Sequence, residues 1–312
     1  MLRAAVSHRG RRLAAGELLD ATEACPVCGS AAPRRAVFRV QSDPEIRMLA
    51  CADCHGCSAS HMPSPACLAA YYAAYYDDAE HRVTFSGDRR FARHVLRALG
   101  GDPFGRRVRI LDFGGGDGSL SLQIAAELLA RDPERRIEVL VVDYGLPSPS
   151  PDERIVVTHR ASWEEIGDRY DLAFDLVLAS AVLEHIPDLR SLIPALLCAV
   201  APGGLFYART PYVLPLARLV PRLDLTYPAH VHDLGSGFWN RLTATFGVRA
   251  RYLASRPSIV ATTWTGAPLR TLTAHLLKLP ARLEEALSPP GRLDRFWNLV
   301  GGWEVALQPA ER

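Results

Sequence analysis

The stretch that decides the fold is Arg109–Leu129, "RILDFGGGDGSLSLQIAAELL". An apolar run ends in Asp112 and Phe113, three glycines follow, and after Asp117-Gly118-Ser119 the apolar residues recur at helical spacing. Glycine between a buried strand and a helix costs conformational entropy. The loop therefore needs either an unusual backbone path or a ligand pressed against it. A dinucleotide fingerprint requires G-x-G-x-x-G or -A. Counted from Gly114 its third position is Ser119, and from Gly116 it is Ser121, so the dehydrogenase pattern fails. The pattern that fits is D-x-G-x-G-x-G, with Asp112, Gly114, Gly116 and Gly118. A plain tight turn is the alternative reading of such a loop.

Outward from this loop, short apolar runs alternate with helical patterns. "VRILDF" (108–113), "IEVLVVDY" (137–144), "RIVVTHR" (154–160), "FDLVLASAVL" (174–183), "GGLFYARTP" (203–211) and "VRARYLAS" (248–255) read as strands, and "GGWEVALQPA" (301–310) as a final one. Strands of this kind separated by helices predict a doubly wound, Rossmann-like α/β sheet covered on both faces. Asp143 ends the second strand, where an acidic side chain can accept hydrogen bonds from both ribose hydroxyls. Its alternative role is a cap at a strand end. A helix is expected over 236–247 with Ser236 as N-cap.

"LDFGGGDGS", "VVDYG", "FDLVLASAVLEHIPD" and "APGGLFYARTP" together resemble, in order and over about 100 residues, the motifs of class I S-adenosylmethionine-dependent methyltransferases. The resemblance implies a seven-stranded sheet with an antiparallel last strand. It implies that Gly114, Gly116 and Gly118 lie against S-adenosylmethionine and that Asp112 helps hold the methionine ammonium. It also implies that Asp143 holds the ribose, that Tyr144 flanks the adenine, and that Ser180 borders the cofactor. Many relatives carry an aspartate after the third strand. Here the region reads "HRASWEEI", so Ser162 or a backbone group takes the adenine contact.

Five of the seven cysteines fall between Cys25 and Cys57. "CPVCGS" and "CADCHGC" give two C-x-x-C knuckles, Cys25/Cys28 and Cys51/Cys54, a pattern suited to one structural, four-thiolate zinc ion. Unrelated free thiols or a redox pair are the alternatives, and Cys57, His55 and His61 are possible substitute ligands. "RRAVFRVQSDPEIRMLA" (34–50) between the knuckles reads as a hairpin. A ribbon followed by "YYAAYY" (71–76) is similar to the amino-terminal part of a methyltransferase subgroup that includes sugar C-methyltransferases. Tyr71/Tyr75 and Tyr72/Tyr76 are spaced to share helical faces, as pocket caps or as core.

Methyl transfer to a hydroxyl or an acidic carbon needs alignment and a base. His185 in "LEHIPD", and His230 and His232 in "YPAHVHDLG", are the candidate bases, with solvent-facing or structural histidines as the alternative. Tyr212 and Arg209 follow the fifth strand, where doubly wound sheets place ligands.

The expected organisation is a lead-in at 1–22, a zinc-ribbon-like module at 23–65, a helical connector at 66–102, and a methyltransferase domain at 103–312. Lid-like insertions are expected near 211–235, which carries Pro211, Pro215, Pro221 and Pro228, and near 265–300. Net charge is only +2, which argues against a nucleic-acid substrate. The longest uncharged run, 191–208, is broken by Pro194 and Pro202-Gly203-Gly204, so no membrane span is expected. Residues 1–20 are arginine-rich like a transit peptide but lack an apolar block, and a cytoplasmic enzyme is expected. The expected acceptor is a small molecule, a sugar or secondary metabolite. The reading from a different class is a scaffold that keeps the cofactor fold without turnover and uses the zinc module as a partner surface.

Overall fold

A computed structural model of the chain describes residues 10–77, 89–145, 147–164, 173–218, 225–258 and 301–310, together with Leu272, Leu276, Leu279 and Leu283. Most of the expected insertion at 265–300, and the first nine residues of the lead-in, lie outside the described residues.

Two sheets organise the chain. The larger contains β4 (Arg107–Phe113), β5 (Arg136–Val142), β6 (Ile155–Arg160), β7 (Phe174–Ser180), β8 (Val200–Tyr212), β10 (Ala250–Pro257) and β11 (Gly301–Pro309). Their order is β10-β11-β8-β7-β4-β5-β6. Strands β4 to β8 run parallel, whereas β11 is antiparallel to both β8 and β10. Strand order reverses at β4, which lies between β7 and β5, so the crevice beyond its carboxyl end is the switch point where such sheets bind ligands.

Near-continuous apolar strands follow from burial on both faces. Ile110, Val139, Leu176 and Tyr207 pack under α2 (Arg89–Ala98) and α3 (Ser119–Arg131) through Val95, Leu96, Leu120, Ile124 and Leu128. Leu111, Leu140, Val177 and Phe206 face the opposite side, against α4 (Leu192–Cys198), Phe238, Trp239 and Val27 of the cysteine module. Helix α3 begins directly at the glycine loop, where Asp117 Oδ1 accepts the Ser119 N–H at 3.1 Å. Leu120, Ile124 and Leu128 form its buried stripe.

Strands β10, β11 and β8 are keyed by a buried carboxylate. Glu304 of β11 accepts from Tyr207 (3.0 Å) and Arg256 (2.7 Å) and meets His94 of α2 at 2.8 Å. Burial opposes its charge, but His94 and Arg256 hold its carboxyl below the ordinary range.

The second sheet has the order β1-β2-β3-β9. Strands β1 (Arg34–Ser42), β2 (Glu45–Cys51) and β3 (Cys57–Ala59) come from the cysteine module. The fourth, β9 (His232–Asp233), comes from the segment expected to be a lid, and it pairs antiparallel with β3. Residues 225–235 thus leave the large sheet to complete the small one. Its core comprises Leu13, Ile46, Met48, Met62, Leu214, Tyr227 and Val231. The helix expected over 236–247 is two short pieces, α5 (Ser236–Trp239) and α6 (Leu242–Phe246), and the N-cap position is Gly235, not Ser236. Helix α1 (Pro65–Asp77) leads from the module toward the large sheet. Among the described residues no helix is long and apolar enough to cross a membrane.

Candidate functional site

At the carboxyl end of β4 the chain turns through Gly114 (φ 67°), Gly116 (φ 59°) and Gly118 (φ 74°), all in the left-handed region that side chains disfavour. A Cβ on Gly114 would lie 2.1 Å from Val182 Cγ2, and one on Gly115 would lie 2.5 Å from the Asp112 carboxylate. Asp112 is buried and accepts from Ser121 Oγ at 2.6 Å. Burial pushes its pKa up to about 6. Asp143, immediately after β5, accepts the Gly116 N–H at 2.9 Å and the Gly145 N–H at 3.0 Å. A carboxylate offers about four lone-pair sites, so ribose hydroxyls can share these oxygens with the loop. Tyr144 is 76% exposed. Ser162 follows β6, and its neighbour Trp163 stands edge-on to Phe113 with centroids 5.8 Å apart. Ser180 ends β7 and accepts from Arg209 Nε at 3.4 Å. These groups lie at or just beyond the carboxyl ends of β4, β5, β6 and β7.

A second polar group follows β7. Ala181 (φ 58°) turns the chain into a 3-10 turn, Leu183–His185. His185 Nδ1 lies 2.9 Å from the Ala229 carbonyl and 3.1 Å from Tyr72 Oη. A carbonyl only accepts, so Nδ1 carries the hydrogen and the ring lone pair is on Nε2, 3.9 Å from Glu184 Oε1. The His230 ring packs edge-on against His185 at 4.8 Å, with its Nδ1 2.6 Å from Thr226 Oγ1. One polar atom from each of Glu184, His185 and His230 lies within 4.8 Å of the other two.

Sequence reading singled out His185 and His230, which the fold brings together, but not Glu184. The available signal was a carboxylate inside an apolar run at a strand end. Glu184 is 2% exposed, and among the described residues its Oε2 has no hydrogen-bond partner. Burial raises its pKa to about 8. A raised carboxyl pKa means the unfolded chain releases this proton first. The stability present at low pH is therefore lost as pH rises from about 4.5 toward 8. Glu184→Gln should flatten that slope, gaining on the order of 2 kcal/mol on the wild type between pH 6 and pH 8. Urea midpoints of both proteins at the two pH values check this, and parallel slopes would disprove a neutral Glu184.

Two expected site residues are placed otherwise. His232 is buried, with Nδ1 2.8 Å from Ser58 Oγ and Nε2 2.8 Å from the Ile186 carbonyl. Both nitrogens are engaged, and burial lowers its pKa to about 4. Tyr212 meets Trp303 edge-on at 6.1 Å and crowds Gly235, and among the described contacts it does not join His185 or His230.

The cysteines form a separate cluster. One Sγ from each of Cys25, Cys28, Cys51 and Cys54 lies within 4.8 Å of the others. Cys25–Cys54 and Cys28–Cys51 are both 3.8 Å apart. A tetrahedral ion with metal–sulfur bonds near 2.3 Å has sulfur–sulfur edges of about 3.8 Å, so the donor set fits. The Gly56 N–H donates to Cys54 Sγ at 3.4 Å, support that favours a thiolate. Cys57, His55 and His61 lie outside this group of four.

The chain is similar to ubiquinone biosynthesis O-methyltransferases of Rhizobium rhizogenes (31% identity, 38% of this chain and 48% of the relative) and Methylobacterium nodulans (32% identity, 41% and 51%). The chain spans about half the length of the curated relatives it matches. Among solved structures it is similar to the CurJ carbon methyltransferase at 12% identity and a TM-score of 0.42, over 78% of this chain and 58% of that one. The family model described as Methyltransferase domain matches residues 81–247. That match spans more than half of the sequence, includes the glycine loop and the Glu184–His185 turn, and shows that the chain belongs to the methyltransferase domain family, with the class I fold.

Proposed function

We propose that the chain transfers the methyl group of S-adenosylmethionine to a small-molecule acceptor. The observation that carries this reading is the clasp between Asp143 and the Gly116 N–H, which joins the acid after β5 to the glycine loop after β4. Asp112 would hold the methionine ammonium, Asp143 the ribose, and Tyr144, Ser162 and Ser180 would border the cofactor. The acceptor would lie against Glu184, His185 and His230, with His185 or His230 receiving its proton. Likeness to O-methyltransferases supports an oxygen nucleophile. The cysteine cluster would hold a structural zinc ion, because four protein ligands close its shell.

Calorimetric titration of S-adenosylmethionine tests the reading. Wild type should bind at one site, and Asp143→Ala should weaken binding by about tenfold or more, the cost of one charge-assisted hydrogen bond. A folded wild type that does not bind overturns it.

A further inference from the structure

The link that His232 makes has a direction. On one side its Nδ1 accepts from Ser58 of β3, in the cysteine module. On the other its Nε2 donates to the carbonyl of Ile186, the residue after Glu184 and His185. Flanking backbone bonds repeat the same bridge, since the Ala59 N–H donates to the Val231 carbonyl at 2.8 Å while the Val231 N–H donates to the Glu184 carbonyl at 2.9 Å. Ala229 supplies the carbonyl that orients His185, and His230 is its neighbour. The first knuckle also touches the turn's continuation, because the Leu189 N–H donates to the Pro26 carbonyl at 2.9 Å.

We propose that His232 is a positioning residue, which carries the geometry of the cysteine module through Ser58 and Ile186 to the Glu184–His185 turn and so sets the orientation of the acceptor-end imidazoles. The inference rests on the functional reading above for what those imidazoles do, but not for whether they are held. A single neutral tautomer satisfies both partners of His232, and burial, which lowers its pKa to about 4, favours that neutral form near pH 7. The module thus works without touching a reactant, in the way outer residues aim the groups that do.

The test uses histidine-labelled full-length protein and proton–carbon spectra of the imidazoles, with His185 and His230 assigned from His185→Gln and His230→Gln. His232→Leu should displace the His185 and His230 signals while zinc content and S-adenosylmethionine affinity stay at wild-type values. His232→Gln, whose amide can still donate to Ile186, should return the His185 signal toward its wild-type position. Unmoved signals in folded His232→Leu overturn the proposal. If the leucine variant does not fold, Ser58→Ala decides: displaced imidazole signals support the bridge, and unmoved ones refute it. A wild type that fails to bind S-adenosylmethionine defeats the functional reading alone, since the imidazole signals still report the positioning.

Discussion

Cys51→Ser should bring the metal content of the purified protein down from about one zinc per chain, the stoichiometry of a four-thiolate site, and lower its urea midpoint substantially. Cys51 is 3% exposed and ends β2, so the proposed ligand also belongs to the sheet that receives β9. Metal binding in such modules is folding free energy, with apparent values of about 10–16 kcal/mol in small zinc domains. Losing a fraction of that exceeds most core substitutions and is comparable with the roughly 5–15 kcal/mol that holds a domain together. S-adenosylmethionine affinity should change far less, because the glycine loop packs with β5 and α3. Metal analysis and urea unfolding of both proteins check the prediction. A metal-free wild type as stable as the loaded one would remove the zinc assignment.

Gly114→Ala is expected to be the most damaging single change at the cofactor crevice. The left-handed φ of 67° alone costs about 1–2 kcal/mol for a residue with a Cβ. The added Cβ would also meet Val182 at 2.1 Å, a buried side chain in the same core as Leu111 and Val177. Relief requires Val182 to move, and Val182 precedes the Glu184–His185 turn, so the cofactor and acceptor ends should suffer together. Overpacking of this kind adds about 1–3 kcal/mol, for a total loss near 3 kcal/mol or more. Gly203→Ala is the control, since Gly203 has a φ of 77° but nothing within 4 Å of its added Cβ, so only the same backbone cost of about 1–2 kcal/mol remains. Equal losses from the two substitutions would show that the contact with Val182 is relieved without cost.

The large sheet was legible because its strands are buried on both faces. "RILDF", "IEVLVV" and "FDLVLAS" are nearly uninterrupted apolar runs, and local spacing suffices to recognise them. The antiparallel β11 came from family resemblance, since "GGWEVALQPA" carries no mark of its direction. The cysteine cluster was legible through two C-x-x-C spacings. The destination of 225–235 was not: a two-residue strand has no period, and the prolines around it suggested a lid. Glu184 escaped notice because an acid beside a histidine reads as surface until burial is known. The surroundings of His232 were hidden for the converse reason, since His-x-His spacing does not tell an exposed ring from one with both nitrogens engaged.

The fourth strand of the small sheet also orders events during synthesis. Residue 232 follows residue 59 by 173 positions, so at roughly 5–20 residues per second β3 waits about 9–35 s for its partner. All four cysteines of the cluster leave the ribosome early in that interval, so the proposed zinc site would be available before the sheet is complete. The waiting edge is only three residues long, which limits the template it offers to other chains. A fragment ending before residue 232 would keep that edge open, so the amino-terminal module should be expressed with the rest of the chain rather than cut out as a domain.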